Sequence, residues 1–171
     1  LIKETRVLMD TFCEISCYGQ DRDKAIAAMD DAFKEMQRIE RAFSKFDENS
    51  EVSNINRSAG LGKIGISKEV FNLTQESIYY SQISGGAFDI TVAPLMEIWG
   101  FVRRHKVIPG KDAMEAALRP VGYKNIELDS EKLSIRFLNK GTKIDFGGIA
   151  KGYAVDRAKD VLASHGIRNA L

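Results

Sequence analysis

The chain has 171 residues, suited to one domain or one domain with part of another, and its 44% hydrophobic content is enough for a sizeable core. Lys and Arg are scattered among Asp and Glu and the formal net charge is +1, which argues against a nucleic-acid-binding face. No run of 18 apolar residues offers a membrane-spanning helix, and Leu1-Ile2-Lys3-Glu4 lacks the pattern of a signal peptide.

Val7 to Tyr18 mixes β-branched, apolar and polar residues and predicts one or two strands. Cys13 and Cys17 lie in this stretch. On a strand they stand about 13 Å apart, beyond the roughly 7 Å that a disulfide allows, so they are expected as free thiols. His105 and His165 are too few and too separated for a histidine metal site. Gly19-Gln20-Asp21 reads as a turn, with Asp21 able to cap a following helix.

Residues 22 to 43 give the clearest helix: Ile26, Met29, Phe33, Met36, Ile39 and Phe43 recur at spacings of three and four, opposite a charged face. From Phe43 to Arg57 the chain is polar and reads as loop or short helix, followed by a flexible stretch with Gly60, Gly62 and Gly65. Ser67 is placed to cap a helix to about Ile83, carrying Val70, Phe71, Thr74, Ile78 and Tyr79, and Ser84-Gly85-Gly86 ends it. Ala87 to Leu95 follows, and then Met96 to Phe101 with the single Trp99. Asp112 is a candidate cap for a short helix ending near Leu118. Asn125–Leu128 and Leu133–Phe137 predict a hairpin, Thr142–Phe146 a third strand, and Gly147-Gly148 the entry to a last helix with Ile149, Ala154, Ala158, Val161 and Leu162 on its apolar face. Ile167 to Leu171 begins a further strand that stops without a turn signal, and with the start at Leu1 this leads us to expect a piece of a longer protein. Strands early and late with helices between predict an α+β fold with a mixed or antiparallel sheet and packed helices.

Four stretches could carry chemistry. In Ile144-Asp145-Phe146-Gly147-Gly148-Ile149-Ala150-Lys151 a strand ends in a carboxylate, two glycines turn the chain, and a helix begins with a lysine in its first turn. Glycines admit close approach, and a helix start offers free N–H groups and partial positive charge, a combination that suits a phosphate. The same residues are equally consistent with a tightly packed glycine turn; neither a Walker A loop nor G-x-G-x-x-G is present. In Ser84-Gly85-Gly86-Ala87-Phe88-Asp89-Ile90-Thr91 the paired glycines admit a flat ligand, Asp89 could accept from a ribose or an adenine amine, and Phe88 could pack on a ring. Alternatively it is a helix end leading into a buried strand. Met9-Asp10-Thr11 places a polarisable side chain. Ser44-Lys45-Phe46, with Asn54 and Asn56 beyond, offers a ring and amides.

The order of these stretches is more informative than any one of them. Met-x-Thr, then Phe-Ser-x-Phe ahead of Ser-x-x-Ser-x-Ile-Asn, then Ser-Gly-Gly-Ala-Phe-Asp-Ile-Thr-Val-x-Pro-Leu and Trp-Gly-Phe, then Ile-Asp-Phe-Gly-Gly-Ile-Ala-Lys-Gly-Tyr-Ala-Val-Asp: from about residue 5 onward this resembles the ApbE family of FAD:protein FMN transferases. The resemblance implies an ApbE-like (T-fold-like) domain, with the chain as its N-terminal and central part and the C-terminal block absent. It implies FAD as substrate, with Met9, Phe46, Ala87, Phe88, Asp89, Asp145 and Lys151 at the nucleotide and the Gly148 backbone carbonyl at Mg²⁺. The remaining metal ligands would come from the C-terminal block, and no catalytic residue is assigned. FMN would pass to a Thr or Ser hydroxyl of an acceptor protein, typically a subunit of a membrane redox complex, with release of AMP. Export and a lipid anchor outside the cytoplasmic membrane are also implied. FAD hydrolysis to FMN and AMP, a flavin-binding module without catalysis, and a purely structural domain are the alternatives.

Overall fold

In the computed structural model, residues 1–18, 21–101 and 107–171 are described. The elements run β1 (Ile2–Leu8), β2 (Thr11–Cys17), α1 (Arg22–Phe43), α2 (Glu51–Arg57), β3 (Ile64–Gly65), α3 (Lys68–Ile83), a 3-10 turn (Ile90–Val92), α4 (Ala93–Ile98), α5 (Lys111–Leu118), a second 3-10 turn (Tyr123–Asn125), β4 (Ile126–Asp129), β5 (Ser134–Phe137) and α6 (Ala150–Ser164). They fall into two compact units: Leu1–Ala42 with Ile149–Leu171, and Phe43–Gly148. The α+β prediction with antiparallel pairing holds. His105 and the Gly19-Gln20 part of the expected turn lie outside the described residues.

The first unit holds the β1–β2 hairpin, α1 and α6. Its hairpin pairs Leu8 with Thr11, leaving only Met9 and Asp10 as the connection, so the strand begins at Ile2, five residues before the sequence suggested. Asp21 caps α1 through a bond from the Lys24 amide at 3.2 Å. The predicted stripe is buried from Met29 to Phe43, widened by Ala25, Ala28 and Ala32, while Ile26 is half-buried. Small alanines beside large Met and Phe allow dense packing on one face. The Arg6 guanidinium pairs with Asp30 and lies 4.5 Å from the Phe33 ring centroid, tying β1 to α1. Arg157 reaches Glu35 at 3.6 Å, tying α6 to α1. The expected strand at the chain's end is a bridge of Ala170 to Cys17, with paired Ser16–Leu171 bonds of 2.7 Å. Both cysteines are free.

The second unit contains a three-stranded antiparallel sheet in the order β3–β5–β4. Two expectations fail here. The third strand is not Thr142–Phe146 but Ile64–Gly65, from within the glycine stretch, which pairs with Ile135 and Ser134. The 142–146 segment is extended but its ladder partner is a side chain: Asn56 donates to the Ile144 carbonyl at 2.9 Å and accepts from its amide at 2.8 Å. Nor is Ala87–Leu95 a strand. Asp89 caps the first 3-10 turn, and Pro94 sits in the first turn of α4, where its missing N–H is harmless.

Ser67 caps α3 as predicted, accepting from Val70 N. The predicted Val70, Phe71 and Thr74 are buried on α3, but Ser77 and Ser81 are buried with them and Tyr79 is 56% exposed. The Thr74, Ser77 and Ser81 hydroxyls each bond the carbonyl four residues earlier, so the small residues are satisfied inside their own helix. Gly110, not Asp112, occupies the cap of α5, and Asp112 lies in its first turn.

Candidate functional site

Met9 and Asp10 both have positive φ, 54° and 58°, the signature of a two-residue type I′ connection. Met9 is half-buried, and its amide donates to Glu40 Oε1 at 2.8 Å. Met9 and Lys151 line one cavity of about 740 Å³ in the first unit, together with Cys13, Glu14, Met36 and Val155. Burial pushes the Cys13 thiol up, the Glu40 charge adds to this, and Lys151 opposes it.

Lys151 is exposed in the first turn of α6. No side chain caps that helix: Ile149 precedes it, and the first intrahelical bond runs from Tyr153 N to Ile149 O at 3.1 Å. The amides of the first turn therefore carry the partial positive charge of a helix start without a capping side chain among the described residues. Gly152 adds a second indication. A Cβ there would meet nothing within 4 Å, so packing does not demand the glycine, although it costs about 1 kcal/mol against Ala in a helix. Open space, uncapped amides and a lysine fit an anionic phosphate group.

In the second unit the Asp145 carboxylate accepts from Gly147 N at 2.8 Å through Oδ1 and pairs with the Lys45 ammonium through Oδ2. The two side chains are only 11% and 14% exposed. The backbone is fixed as well, with Asp145 N on Ile90 O at 2.7 Å and Ile144 clasped by Asn56. Phe46 is 59% exposed, its ring 5.2 Å from Lys45 Nζ. Ser44 accepts the amides of Phe46 and Asp47 at 3.1 Å and so shapes this loop.

Ala87 is exposed and Phe88 half-buried. The Phe88 ring meets Tyr80 edge-on, with centroids 6.5 Å apart, and its Cε2 stands 3.1 Å from where a Cβ of Gly148 would be. Gly148 is thus glycine because the ring takes the space. Asp89 is engaged within the protein: Oδ1 accepts from Thr91 N at 2.8 Å and Thr91 Oγ1 at 2.6 Å, and Oδ2 from Tyr123 N at 2.7 Å. Sequence reasoning missed Glu40, Lys45 and Asn56 in these roles, because their partners lie 31, 100 and 88 residues away.

For a divalent metal the donor set is thin. Among the described residues no group of three or more His, Cys, Asp or Glu could hold an ion. The Gly148 carbonyl does not make a metal site alone.

Residues 9–171 match the sequence pattern of the ApbE family. The chain belongs to the ApbE family. A relative from Treponema pallidum, named FAD:protein FMN transferase, is 22% identical over 96% of this chain and 47% of its own length. One from Chlamydia pneumoniae with the same name is 31% identical over 73% of the chain and 42% of its own length. The crystal structure of the ApbE protein of Thermotoga maritima superposes with a TM-score of 0.87 at 32% identity, covering 99% of this chain and 54% of that one. The flavin transferase ApbE of Vibrio cholerae gives 0.86 at 24% identity, a likeness of fold. The chain spans about half the length of the ApbE relatives it matches.

Proposed function

We propose that the protein carrying this chain transfers FMN from FAD to a Thr or Ser hydroxyl of an acceptor protein, releasing AMP. The carrying observation is the uncapped start of α6 with exposed Lys151 and the sterically unexplained Gly152, within a chain of a family whose curated relatives bear the transferase name. In this reading Met9, Phe46, Ala87, Phe88, Asp89, Asp145 and Lys151 contact the nucleotide. The Lys151 ammonium and the α6 amides hold pyrophosphate oxygens and stabilise the charge that builds on AMP as it leaves. Asp145 keeps its carboxylate oriented through Lys45 and Gly147 and accepts from nucleotide hydroxyls or amines. Asp89, with three of its acceptor positions taken, contributes mainly by joining the two 3-10 turns at Thr91 and Tyr123.

Mg²⁺ dependence belongs to the same reading, with the Gly148 carbonyl as the donor this chain offers. When bound, the ion neutralises phosphoryl oxygens. The acceptor would be a membrane redox-complex subunit, and the protein exported and lipid-anchored; family resemblance is the support for both.

Incubating the complete protein with FAD, Mg²⁺ and a Thr-bearing acceptor tests the reading. Acceptor-bound flavin fluorescence with stoichiometric AMP is expected. AMP without acceptor labelling would favour FAD hydrolysis, and FAD binding without AMP a non-catalytic flavin module. No FAD binding with or without Mg²⁺ would remove the flavin assignment.

A further inference from the structure

Two residues of the first unit break local rules and meet each other. Met9 and Asp10 take positive φ in a connection that favours Gly, Asn and Asp, so Met9 is the residue out of place there. Glu40 places a carboxylate in the last turn of α1, where the helix macrodipole favours a cation. The Met9 amide donates to Glu40 Oε1 at 2.8 Å across 31 residues of sequence. Bonds from a backbone N–H to a carboxylate are among the stronger ones, and this one fixes Met9, the residue of the turn whose side chain disfavours positive φ. Local rules broken together and compensated mutually mark functional positions. Glu40's charge is felt in the cavity lined by Met9 and Lys151, where it raises the Cys13 thiol.

We propose that Glu40 is a positioning residue for flavin binding: its carboxylate locks the Met9 turn, so that the Met9 side chain is presented to the flavin nucleotide before the ligand arrives. The proposal rests on the flavin-transfer reading. A preorganised turn spares FAD the ordering of a strained backbone. Loss of the lock is therefore expected in FAD affinity rather than in the rate of the bound complex.

The test uses the complete protein, comparing wild type, Glu40→Leu, Glu40→Gln, Met9→Ala and the double variant Glu40→Leu/Met9→Ala. FAD affinity is measured by calorimetry and turnover by AMP release. Glu40→Leu is expected to weaken FAD about tenfold with kcat within about twofold. Glu40→Gln, which keeps an oxygen acceptor, retains most of the affinity. The double variant binds no more weakly than Met9→Ala, because Glu40 acts through Met9. Wild-type FAD affinity in Glu40→Leu, or additive losses in the double variant, overturns the proposal while the transferase reading stands. A wild type that neither binds FAD nor releases AMP ends both. Should Glu40→Leu fail to fold, it is placed on Met9→Gly, where glycine takes positive φ freely. Affinity equal to that of Met9→Gly alone then supports the proposal, and a further loss overturns it.

Discussion

Asp89 and Asp145 invite the same interpretation from sequence, each a carboxylate close to a glycine pair in a long family motif. The structure uses them differently. Asp89 accepts from two backbone amides and a hydroxyl and so stitches the first 3-10 turn to the second. Among the described residues Asp145 has one backbone donor, Gly147, and one side-chain partner, Lys45. A carboxylate held by backbone amides is part of the scaffold. One held by an ammonium keeps a partner that can be exchanged. Motif membership alone does not separate the two, but the chemistry of the donors does.

The sharpest break of that comparison is Asp89→Ala, which strands the Thr91 and Tyr123 amides and should lower the stability of the second unit by about 4 kcal/mol in urea unfolding. No single substitution elsewhere should restore it, since its donors are mostly backbone. Next comes Asp145→Ala, at about 3 kcal/mol, because it leaves the 14%-exposed Lys45 side chain unpaired. Here Lys45→Met should recover most of the stability while FAD affinity stays low; recovered affinity would remove Asp145 from the nucleotide site. Asn56→Ala deletes both bonds to Ile144 and should cost about 2 kcal/mol, with raised amide exchange confined to the 142–146 segment. Gly148→Ala must push the Phe88 ring aside for about 1 kcal/mol; Phe88→Leu in the same chain should relieve it, as read by thermal melts. Smallest is Ser134→Ala. Among the described residues the buried Ser134 hydroxyl has no hydrogen-bond partner, so its removal should be neutral or raise stability by up to about 1 kcal/mol.

Local grammar was legible wherever the information was local. The α1 stripe, the Ser67 cap, the Gly85-Gly86 stop and the β4–β5 hairpin all follow from residues within a few positions of one another. Two of the failures share a cause, a partner distant in sequence or of the wrong type. Thr142–Phe146 has the composition of a strand but is held by the amide of Asn56. Ile64–Gly65 has almost no strand composition but meets β5. The buried strand expected as the alternative after Gly85-Gly86 failed for a different reason, because the segment carries a local helix signal, an Asp cap followed by a proline at a helix start. Of the candidate site, the motifs named the residues, while Glu40 and Lys45, which hold two of them, were invisible to spacing.

The first unit is built from both ends of the chain, Leu1–Ala42 and Ile149–Leu171, whereas the second is one uninterrupted segment. During synthesis the β1–β2 hairpin and α1, with its Met and Phe stripe, emerge long before α6. At about 5–20 residues per second the wait for the intervening segment is roughly 5–20 s. Closing that gap as a random coil of roughly a hundred residues would cost about 4 kcal/mol in chain entropy. Early folding of the contiguous second unit would shorten the loop, so a lesion such as Asp89→Ala is expected to delay assembly of the first unit although no residue of that unit is altered.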